Sequence, residues 1–295
     1  MIRFSKYLWL YFLISALVLV PGAASLVFFG LRPAIDFTGG NLVEVRLVPP
    51  VSPPDLSELV AKQNLPLVGM QLTSKNTYLL RFKPLGSQEN TQFEKGLAET
   101  FGQNYQVIRN ESVGPILGKE LLIKSVFAAT LAIIGILLYI AYAFKSFKYG
   151  TAAVLALFHD LLVVVGSFSL LGYFFKIEVD TLFVTAFLTT MSFSVHDTIV
   201  VFDRIREFVK RGERLSFDQV CDRALTETMG RSLANSMTII FMLLALVLMG
   251  GATIRWFAVA LLIGTISGTY SSPFVATPIL ILWERKWGKL AHSGK

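Results

Sequence analysis

The chain has 295 residues, of which 54% are apolar and only 16% are charged, and its mean hydropathy is +0.60. This composition lies outside the range of water-soluble proteins and excludes an ordinary soluble enzyme. The net charge of +7 fits a nucleic-acid ligand, an anionic lipid surface or the topology bias of a membrane protein, so the positions of the charges must decide. The single cysteine, Cys221, excludes an internal disulfide.

Six apolar runs are long enough to cross about 30 Å of hydrocarbon as helices. They cover residues 8–29, 121–144, 150–175, 181–202, 232–249 and 257–283. The first run has the basic flank of a signal peptide, but its apolar core is longer than the usual span of about 7 to 15 residues. We therefore expect it to remain as a membrane helix.

Basic residues concentrate in the loops on one side of these six spans. They include Arg3, Lys6, Lys145, Lys148, Arg204, Arg206, Arg211, Arg223, Arg231, Arg285 and Lys286, whereas the opposite short loops hold only Lys176 and Arg255. The positive-inside rule then places both termini in the cytoplasm and accounts for the net charge. No basic stripe with interleaved aromatic residues indicates a nucleic-acid site.

This topology predicts three regions. Residues 1–31 form the cytoplasmic N-terminus and first helix, 32–120 form an exported domain, and 121–295 form the other five helices with a cytoplasmic loop at 204–230 and a cytoplasmic C-terminus. Within the exported segment, alternating apolar residues predict strands at 41–48, 68–72, 78–82 and 105–109, and helical patterns cover 53–62 and 88–101. The order βαββαβ predicts an α+β, ferredoxin-like domain with a four-stranded antiparallel sheet. Since it holds no cluster of catalytic residue types, we expect it to contact another protein.

The loop at 204–230 contains the pattern of a short amphipathic helix. Ser216 and Gln219 have the spacing of a capping box. The residues that share its apolar face are Phe217, Val220, Cys221, Ala224 and Leu225. Two interpretations stay open, a helix lying at the membrane surface under the bundle or a docking surface for a cytoplasmic partner.

Polar residues within the fourth and fifth spans mark a candidate site. An ionisable side chain at the centre of a membrane helix costs about 2.5 to 3.5 kcal/mol, so Asp197 requires a partner or a purpose. Thr190, Ser194 and Asp197 recur at helical spacing, which predicts a polar stripe facing the bundle interior, and His196 points about 100° away from Asp197. On the fifth span, Arg231 is followed by Asn235 and Thr238 on the same helix face.

Two interpretations of Arg231 remain. It lies at the end of its span, where its side chain could reach the lipid headgroups, or it could pair with Asp197 at a similar depth. In the second case, small helix movements would change proton binding by Asp197, which is a proton-relay hypothesis. In the third span, His159 and Asp160 are equally compatible with a packed hydrogen-bonded pair and with a part of the relay.

Other chemistries leave no trace in the sequence. The three histidines, His159, His196 and His292, lack the spacing of a metal site. There is also no Gly-rich phosphate loop and no nucleophile elbow. Energy for any work must therefore come from a partner or from the membrane potential.

Seven characteristic motifs occur in order along the chain. The first is Asp36-Phe37-Thr38-Gly39-Gly40 after the first span. The others are ESVGP at 111–115, GKEL at 118–121, LFHD at 157–160, SVHDTIVVFDRIRE at 194–207, RSL at 231–233 and GTYSS at 268–272. In this order and spacing they resemble the motifs of the SecD/SecF family of protein-export membrane proteins. One position departs from the family pattern, because His196 stands where the family usually has asparagine, and its imidazole could shift the proton affinity of Asp197 or join the relay.

The resemblance implies an accessory subunit of the Sec translocase in the inner (plasma) membrane. Such a subunit forms a heterodimer with SecD, in which each contributes half of an RND-like bundle, and uses the proton gradient to help a translocating polypeptide leave the SecYEG channel. The family's membrane carboxylate falls on Asp197 and its arginine on Arg231, and no cofactor is implied. Two alternatives remain: a passive scaffold that moves no protons, and an RND-like small-molecule exporter, for which one insert of this size is small.

Overall fold

The computed structural model describes residues 3–50, 52–74, 76–144, 146–212 and 215–288. Its helices, in chain order, are α1 (Leu8–Phe29), α2 (Ile35–Thr38), α3 (Pro53–Lys62), α4 (Ser87–Phe101), α5 (Pro115–Phe144), α6 (Phe147–Phe175), α7 (Thr181–Lys210), α8 (Phe217–Met249), α9 (Ala252–Ser271) and α10 (Thr277–Trp283). The strands are β1 (Gly40–Leu47), β2 (Leu67–Ser74), β3 (Thr77–Phe82) and β4 (Tyr105–Val113).

The chain divides into two compact units. The helical unit comprises the residues up to Arg32 and from Ala128 onward, and the α+β unit comprises Pro33–Phe127. Within the described ranges, six helical segments are long and apolar enough to cross a membrane, the last of them running from Ile254 to Lys286 through α9, a π-helical turn (Ser272–Ala276) and α10. The prediction of six spans is confirmed.

The α+β unit has the predicted βαββαβ order. Its four antiparallel strands are arranged β2-β3-β1-β4. Alternate residues of the central strands, among them Val43, Val45 and Leu80, are buried with residues of α3 and α4 such as Leu56 and Leu97. Because side chains alternate across a strand, one face of the sheet carries the core that the two helices cover. The predicted limits of this domain, residues 32–120, and its exported location remain predictions.

The loop predicted at 204–230 is shorter in the structure. α7 continues to Lys210 and α8 already begins at Phe217, so most of the predicted loop is part of two long helices. The capping box is confirmed: the Gln219 N–H donates to Ser216 Oγ at 3.4 Å, and the Ser216 N–H donates to Gln219 Oε1 at 3.0 Å. It caps α8 itself, because nothing in the sequence after it interrupts helical hydrogen bonding before the apolar span begins.

Both interpretations of the amphipathic helix are wrong. Val220, Cys221, Ala224 and Leu225 are buried in the main core of the helical unit, and Phe217 packs against that core. The apolar face is therefore covered by other helices of the same chain and is available neither to the membrane surface nor to a cytoplasmic partner.

Small residues let the helices of the helical unit approach closely. A Cβ on Gly166 of α6 would lie 2.8 Å from the Cα of Gly22 of α1. Beside this contact, the hydroxyl oxygens of Ser25 and Ser169 are 2.8 Å apart. Close backbone approach at small residues, with hydroxyl bonds between helices, is the usual way in which membrane helices associate.

Candidate functional site

Asp197 lies on α7 with its side chain half-buried. Its Oδ2 accepts a hydrogen bond from the hydroxyl of Ser232 on α8, with an O–O distance of 3.0 Å. The carboxylate therefore contacts α8 as predicted, but it does so through a neutral donor.

The predicted contact between Asp197 and Arg231 is not formed in the described part of the chain. Arg231 is exposed, and so are Asn235 and Thr238. Successive residues of a helix are rotated by about 100°, so that Arg231 points away from α7 when Ser232 points toward it. Arg231 and Thr238 thus lie on an outer face of this chain, whereas Asn235, although exposed, borders the cleft at Asp197.

Sequence analysis missed the inward polar residues of α8. Ser232 and Ser236 are four residues apart, and Ser236 is buried and accepts a hydrogen bond from Thr269 Oγ1 of α9 at 2.7 Å. Two serines at i and i+4 in an apolar span are a usable signal, because a hydroxyl in hydrocarbon needs a partner on a neighbouring helix. The sequence analysis considered the adjacent face of α8 instead, because Arg231 and Asn235 are more polar than serine.

A narrow cleft lies between α7, α8 and α9 at Asp197. It is lined by His196 and Asp197 of α7, Asn235 and Ser236 of α8, and Thr265 and Thr269 of α9. His196 is exposed and lies on the same cleft, so an imidazole and a carboxylate share this opening. The arrangement provides a carboxylate with access from outside the packed core.

Thr190 and Ser194 are buried, with 0% and 1% of their surfaces exposed, so the predicted inward stripe of α7 is confirmed for these two residues. They pack on α9, where a Cβ on Gly264 would lie 2.2 Å from Thr190 Oγ1 and one on Gly268 would lie 3.2 Å from the Cα of Ser194. Because Gly264 and Gly268 have no side chain, α9 can pack closely against α7 at these two positions. The role of this pair is close helix packing beside the cleft.

The third-span pair, His159 and Asp160, is buried within the helical unit. Asp160 is completely inaccessible, and its oxygens accept hydrogen bonds from Ser267 and Ser271 of α9, both at 2.6 Å. His159 Nδ1 lies 3.0 Å from Asp160 Oδ1. These two residues face α9 and do not line the cleft that contains Asp197.

The motif Asp36 to Gly40 forms a tight turn in the α+β unit. Asp36, Phe37 and Thr38 lie in α2, where Phe37 is buried and Thr38 Oγ1 accepts a hydrogen bond from Arg81 of β3 at 2.8 Å. Gly39 and Gly40 have φ angles of +72° and +134°, which residues with a Cβ rarely adopt.

The two glycines also leave space for neighbouring backbone. A Cβ on Gly39 would lie 2.9 Å from the Cα of Pro115, and a Cβ on Gly40 would lie 2.6 Å from the carbonyl oxygen of Phe82. At the start of α5, a Cβ on Gly118 would lie 2.8 Å from the Gly39 nitrogen. The motif therefore joins α2, β1, β3 and the start of α5 by backbone contacts, which is a structural task.

In the described ranges, no group of three histidine, cysteine, aspartate or glutamate residues is arranged to hold a metal ion. The polar groups around Asp197 and Asp160 are the two carboxyl groups themselves, two histidines, the amide of Asn235 and several hydroxyl groups. Such a set can bind and release protons and can join helices by hydrogen bonds.

Comparisons with known proteins identify relatives along the whole chain. Residues 92–286 match the family described as protein export membrane protein SecD/SecF, C-terminal, and residues 24–51 match the SecD/SecF GG motif. The chain is 43% identical to the protein translocase subunit SecF of Thermobaculum terrenum, over 97% of this chain and 95% of the relative. It is 32% identical to the protein translocase subunit SecDF of Thermus thermophilus, over 92% of this chain and 37% of that longer protein.

Solved structures give the same result. The crystal structure of SecDF, a translocon-associated membrane protein from Thermus thermophilus, matches with a TM-score of 0.87 at 30% identity, over 96% of this chain and 39% of that chain. The crystal structure of SecDF in a super-membrane-facing form matches with a TM-score of 0.68 at 30% identity, again over 39% of that chain. The chain thus spans well under half of SecDF and almost all of its SecF relatives. Six membrane-crossing helices, the glycine motif and these full-length similarities together establish that this multi-pass membrane protein belongs to the SecD/SecF family.

Proposed function

We propose that the chain is an accessory subunit of the Sec protein translocase, which pairs with SecD and uses the proton motive force to promote protein export. The observation that carries the proposal is Asp197, a half-buried carboxylate in a membrane bundle whose hydrogen-bond donor, Ser232, is neutral. The full-length similarity to subunits named SecF supports the translocase assignment.

The surroundings of Asp197 support a proton-binding role. A charged carboxylate in hydrocarbon costs several kcal/mol, and a hydroxyl donor offsets only part of that cost. Protonation removes the charge, and the cleft gives the proton a way in and out. We infer that Asp197 exchanges its hydrogen-bond partner, Ser232 or Arg231, when it binds or releases a proton, and that α8 rotates slightly during this exchange. His196 lies on the same cleft and takes part in proton access.

The available energy is sufficient for this conformational step. One charge crossing 100 mV supplies about 2.3 kcal/mol, and each unit of pH difference adds about 1.4 kcal/mol. Two conformations of a protein commonly differ by a few kcal/mol. A single proton can therefore shift the population of such states, and movement of the α+β unit on a translocating polypeptide is the output that we propose.

The outer face of α8 supports the pairing with SecD. Arg231 and Thr238 are exposed on the outer face of a helix that otherwise fits the membrane. Polar side chains directed at lipid are costly, so this stripe needs a protein partner. The longer SecDF relatives contain this chain's equivalent as one part of a single protein, which supports SecD as that partner. Contact with SecYEG, the inner-membrane location and the cytoplasmic termini belong to the same proposal, the last of these supported by the distribution of basic residues.

The test is proton-dependent export by membrane vesicles that contain the full chain, SecD and SecYEG. In the Asp197→Asn variant, we expect the increase in export caused by a pH gradient to disappear, while export without a gradient stays at the wild-type level. Asp203→Asn is the matched control, because Asp203 lies on the same helix but is exposed and paired with Arg206 at 3.4 Å. If both variants respond to the gradient like the wild type, the proposal is wrong.

A passive scaffold is the second candidate, and one observation favours it. Many hydroxyl groups of the helical unit join helices, such as Ser25 with Ser169 and Thr198 with Ser272, and Ser232 with Asp197 could serve the same purpose. A scaffold has no gradient response to lose, so the Asp197→Asn experiment separates the two functions. The small-molecule exporter gains no support, because the large groove of the α+β unit is lined by polar residues such as Gln63, Gln92 and Lys95.

A further inference from the structure

Asp160 is the most completely buried carboxylate among the described residues of the helical unit. It lies on α6 with no accessible surface, and both of its oxygens are bonded to α9. Ser267 Oγ donates to Oδ1 and Ser271 Oγ donates to Oδ2, each at 2.6 Å. Since the two serines are four residues apart, they lie on one face of α9, and one carboxylate fixes both the rotation and the depth of that helix.

The same stretch of α9 forms part of the Asp197 site on its other faces. Thr265 and Thr269 line the cleft that contains Asp197. Ser272 Oγ lies 3.0 Å from the hydroxyl of Thr198, the residue that follows Asp197 on α7. Asp160 is therefore bonded to one side of the helical segment from Thr265 to Ser272, and the other side of that segment borders the Asp197 cleft and is bonded to Thr198.

We propose that Asp160 is a positioning residue for Asp197, which sets the shape of the Asp197 cleft by holding α9 through Ser267 and Ser271. This inference rests on the proposed function, since it assigns to Asp160 the task of tuning proton binding at Asp197. It also chooses between the two interpretations of the third-span pair: His159 and Asp160 act on the relay through α9 and do not carry the proton themselves.

The hydrogen bonds of Asp160 explain why a side chain with two acceptor oxygens is needed at this place. Two hydroxyl groups donate to it at the same time, and His159 Nδ1 is within hydrogen-bond distance of Oδ1. A carboxylate can accept all three, whereas an asparagine has a single oxygen acceptor and an NH₂ group that must donate. The Asp160→Asn change therefore replaces one acceptor by a donor, so that one serine must reverse its hydrogen bond and turn its own hydroxyl hydrogen elsewhere, as Ser271 can toward the Gly268 carbonyl at 3.3 Å, which weakens one of the two attachments of α9.

The neighbouring ionisable groups are consistent with this task. His159 Nε2 is buried and has no hydrogen-bond partner among the described residues, so the ring contacts Asp160 through Nδ1. On the α9 side, the Tyr270 ring centroid lies 6.2 Å from that of His159, and the Tyr270 hydroxyl donates to the backbone carbonyl of Tyr11 on α1. On the α7 side, beyond α9, are Asp197 and His196. In the described ranges, no lysine or arginine is paired with Asp160.

The test measures proton binding at Asp197 directly. The full chain, together with SecD in lipid vesicles, is treated with N,N′-dicyclohexylcarbodiimide, which modifies protonated carboxyl groups in membranes, and the modified peptide is measured by mass spectrometry as a function of pH. We expect Asp160→Asn to move the midpoint of Asp197 modification by up to about one pH unit, the shift that follows when the whole energy of one hydrogen bond lost at Asp160 is transmitted through α9. Ser267→Ala and Ser271→Ala, which keep the carboxylate and remove one donor each, should move the midpoint as well and remain informative if Asp160→Asn does not insert into the membrane.

Ser169→Ala is the matched control. Ser169 is a buried serine of the same helix, but it bonds to Ser25 and to the backbone carbonyl of Gly30 and not to α9. We expect its midpoint to equal that of the wild type. An unchanged midpoint in Asp160→Asn, or in both serine variants, would overturn the inference while leaving the proposed function intact. Absence of Asp197 modification in the wild type at every pH, together with an unchanged gradient response of Asp197→Asn, would overturn both.

Discussion

Gly39, in the turn between α2 and β1, offers a quantitative test of why the glycine motif is built as it is. Its φ of +72° and ψ of 164° lie in a region that is open essentially only to glycine. Its neighbour across the turn is backbone, because a Cβ would lie 2.9 Å from the Cα of Pro115. Gly39→Ala therefore meets two separate penalties, one from the backbone conformation and one from the contact.

The two penalties can be estimated separately. Holding a residue with a side chain in such a backbone region costs about 1 to 3 kcal/mol. Carbon atoms normally approach to about 3.5 to 4.0 Å, so the alanine Cβ forces α5 and the turn apart, and overpacking of this kind costs about 1 to 3 kcal/mol more. Gly102→Ala is the matched control in the same unit, because Gly102 also has a positive φ, +58°, but a Cβ added there would meet no atom within 4 Å.

The assay is hydrogen exchange of the β1 and β4 backbone amides in the purified full-length protein, measured by mass spectrometry. Exchange reports the free energy of local opening, and we expect Gly39→Ala to lower it by about 2 to 6 kcal/mol and Gly102→Ala by about 1 to 3 kcal/mol. The excess for Gly39 measures the contact with Pro115. Equal losses in the two variants would refute the idea that the motif exists to let the start of α5 touch the turn.

Two further predictions concern the helical unit. Gly166→Val should lower the free energy of unfolding by about 1 to 3 kcal/mol, measured by denaturation in mild detergent, because the new side chain meets the Cα of Gly22, whereas Gly135→Val on α5, where no atom lies within 4 Å, should change it little. Asp222→Asn should speed trypsin cleavage after Lys6, because the buried Asp222 accepts hydrogen bonds from both the backbone N–H and the hydroxyl of Ser5, each at 2.8 Å. Asp218→Asn removes a partly exposed contact with Arg285, which itself donates to the Ser5 carbonyl only at 3.5 Å, and should have a smaller effect. Equal cleavage rates in the two variants would show that the two Asp222 bonds are not what holds the N-terminal segment.

The sequence by itself determined the elements of both units. Hydropathy over about 20 residues and side-chain alternation are local properties, so six spans and the βαββαβ order follow from the order of residues alone. The glycine pair at 39 and 40 was likewise visible, although the reason for each glycine became clear only when Pro115 and Phe82 were placed beside it. Asp197 stood out because a carboxylate in a span is rare and costly.

Only the tertiary structure decided which side chains meet. Helix periodicity fixes the relative directions of Arg231 and Ser232, but the packing of α8 on α7 and α9 fixes which of them points to Asp197. In the same way, the apolar face that begins at Phe217 could equally have met lipid, a partner or the protein core, and its burial depends on helices distant in sequence. The two serine partners of Asp160 are 107 and 111 residues away along the chain, and no local pattern selects them. The rotation of each helix about its axis and the hydrogen-bond partners of its polar side chains depend on the assembled bundle. The reason is that the polar groups of all the helices must find partners at the same time.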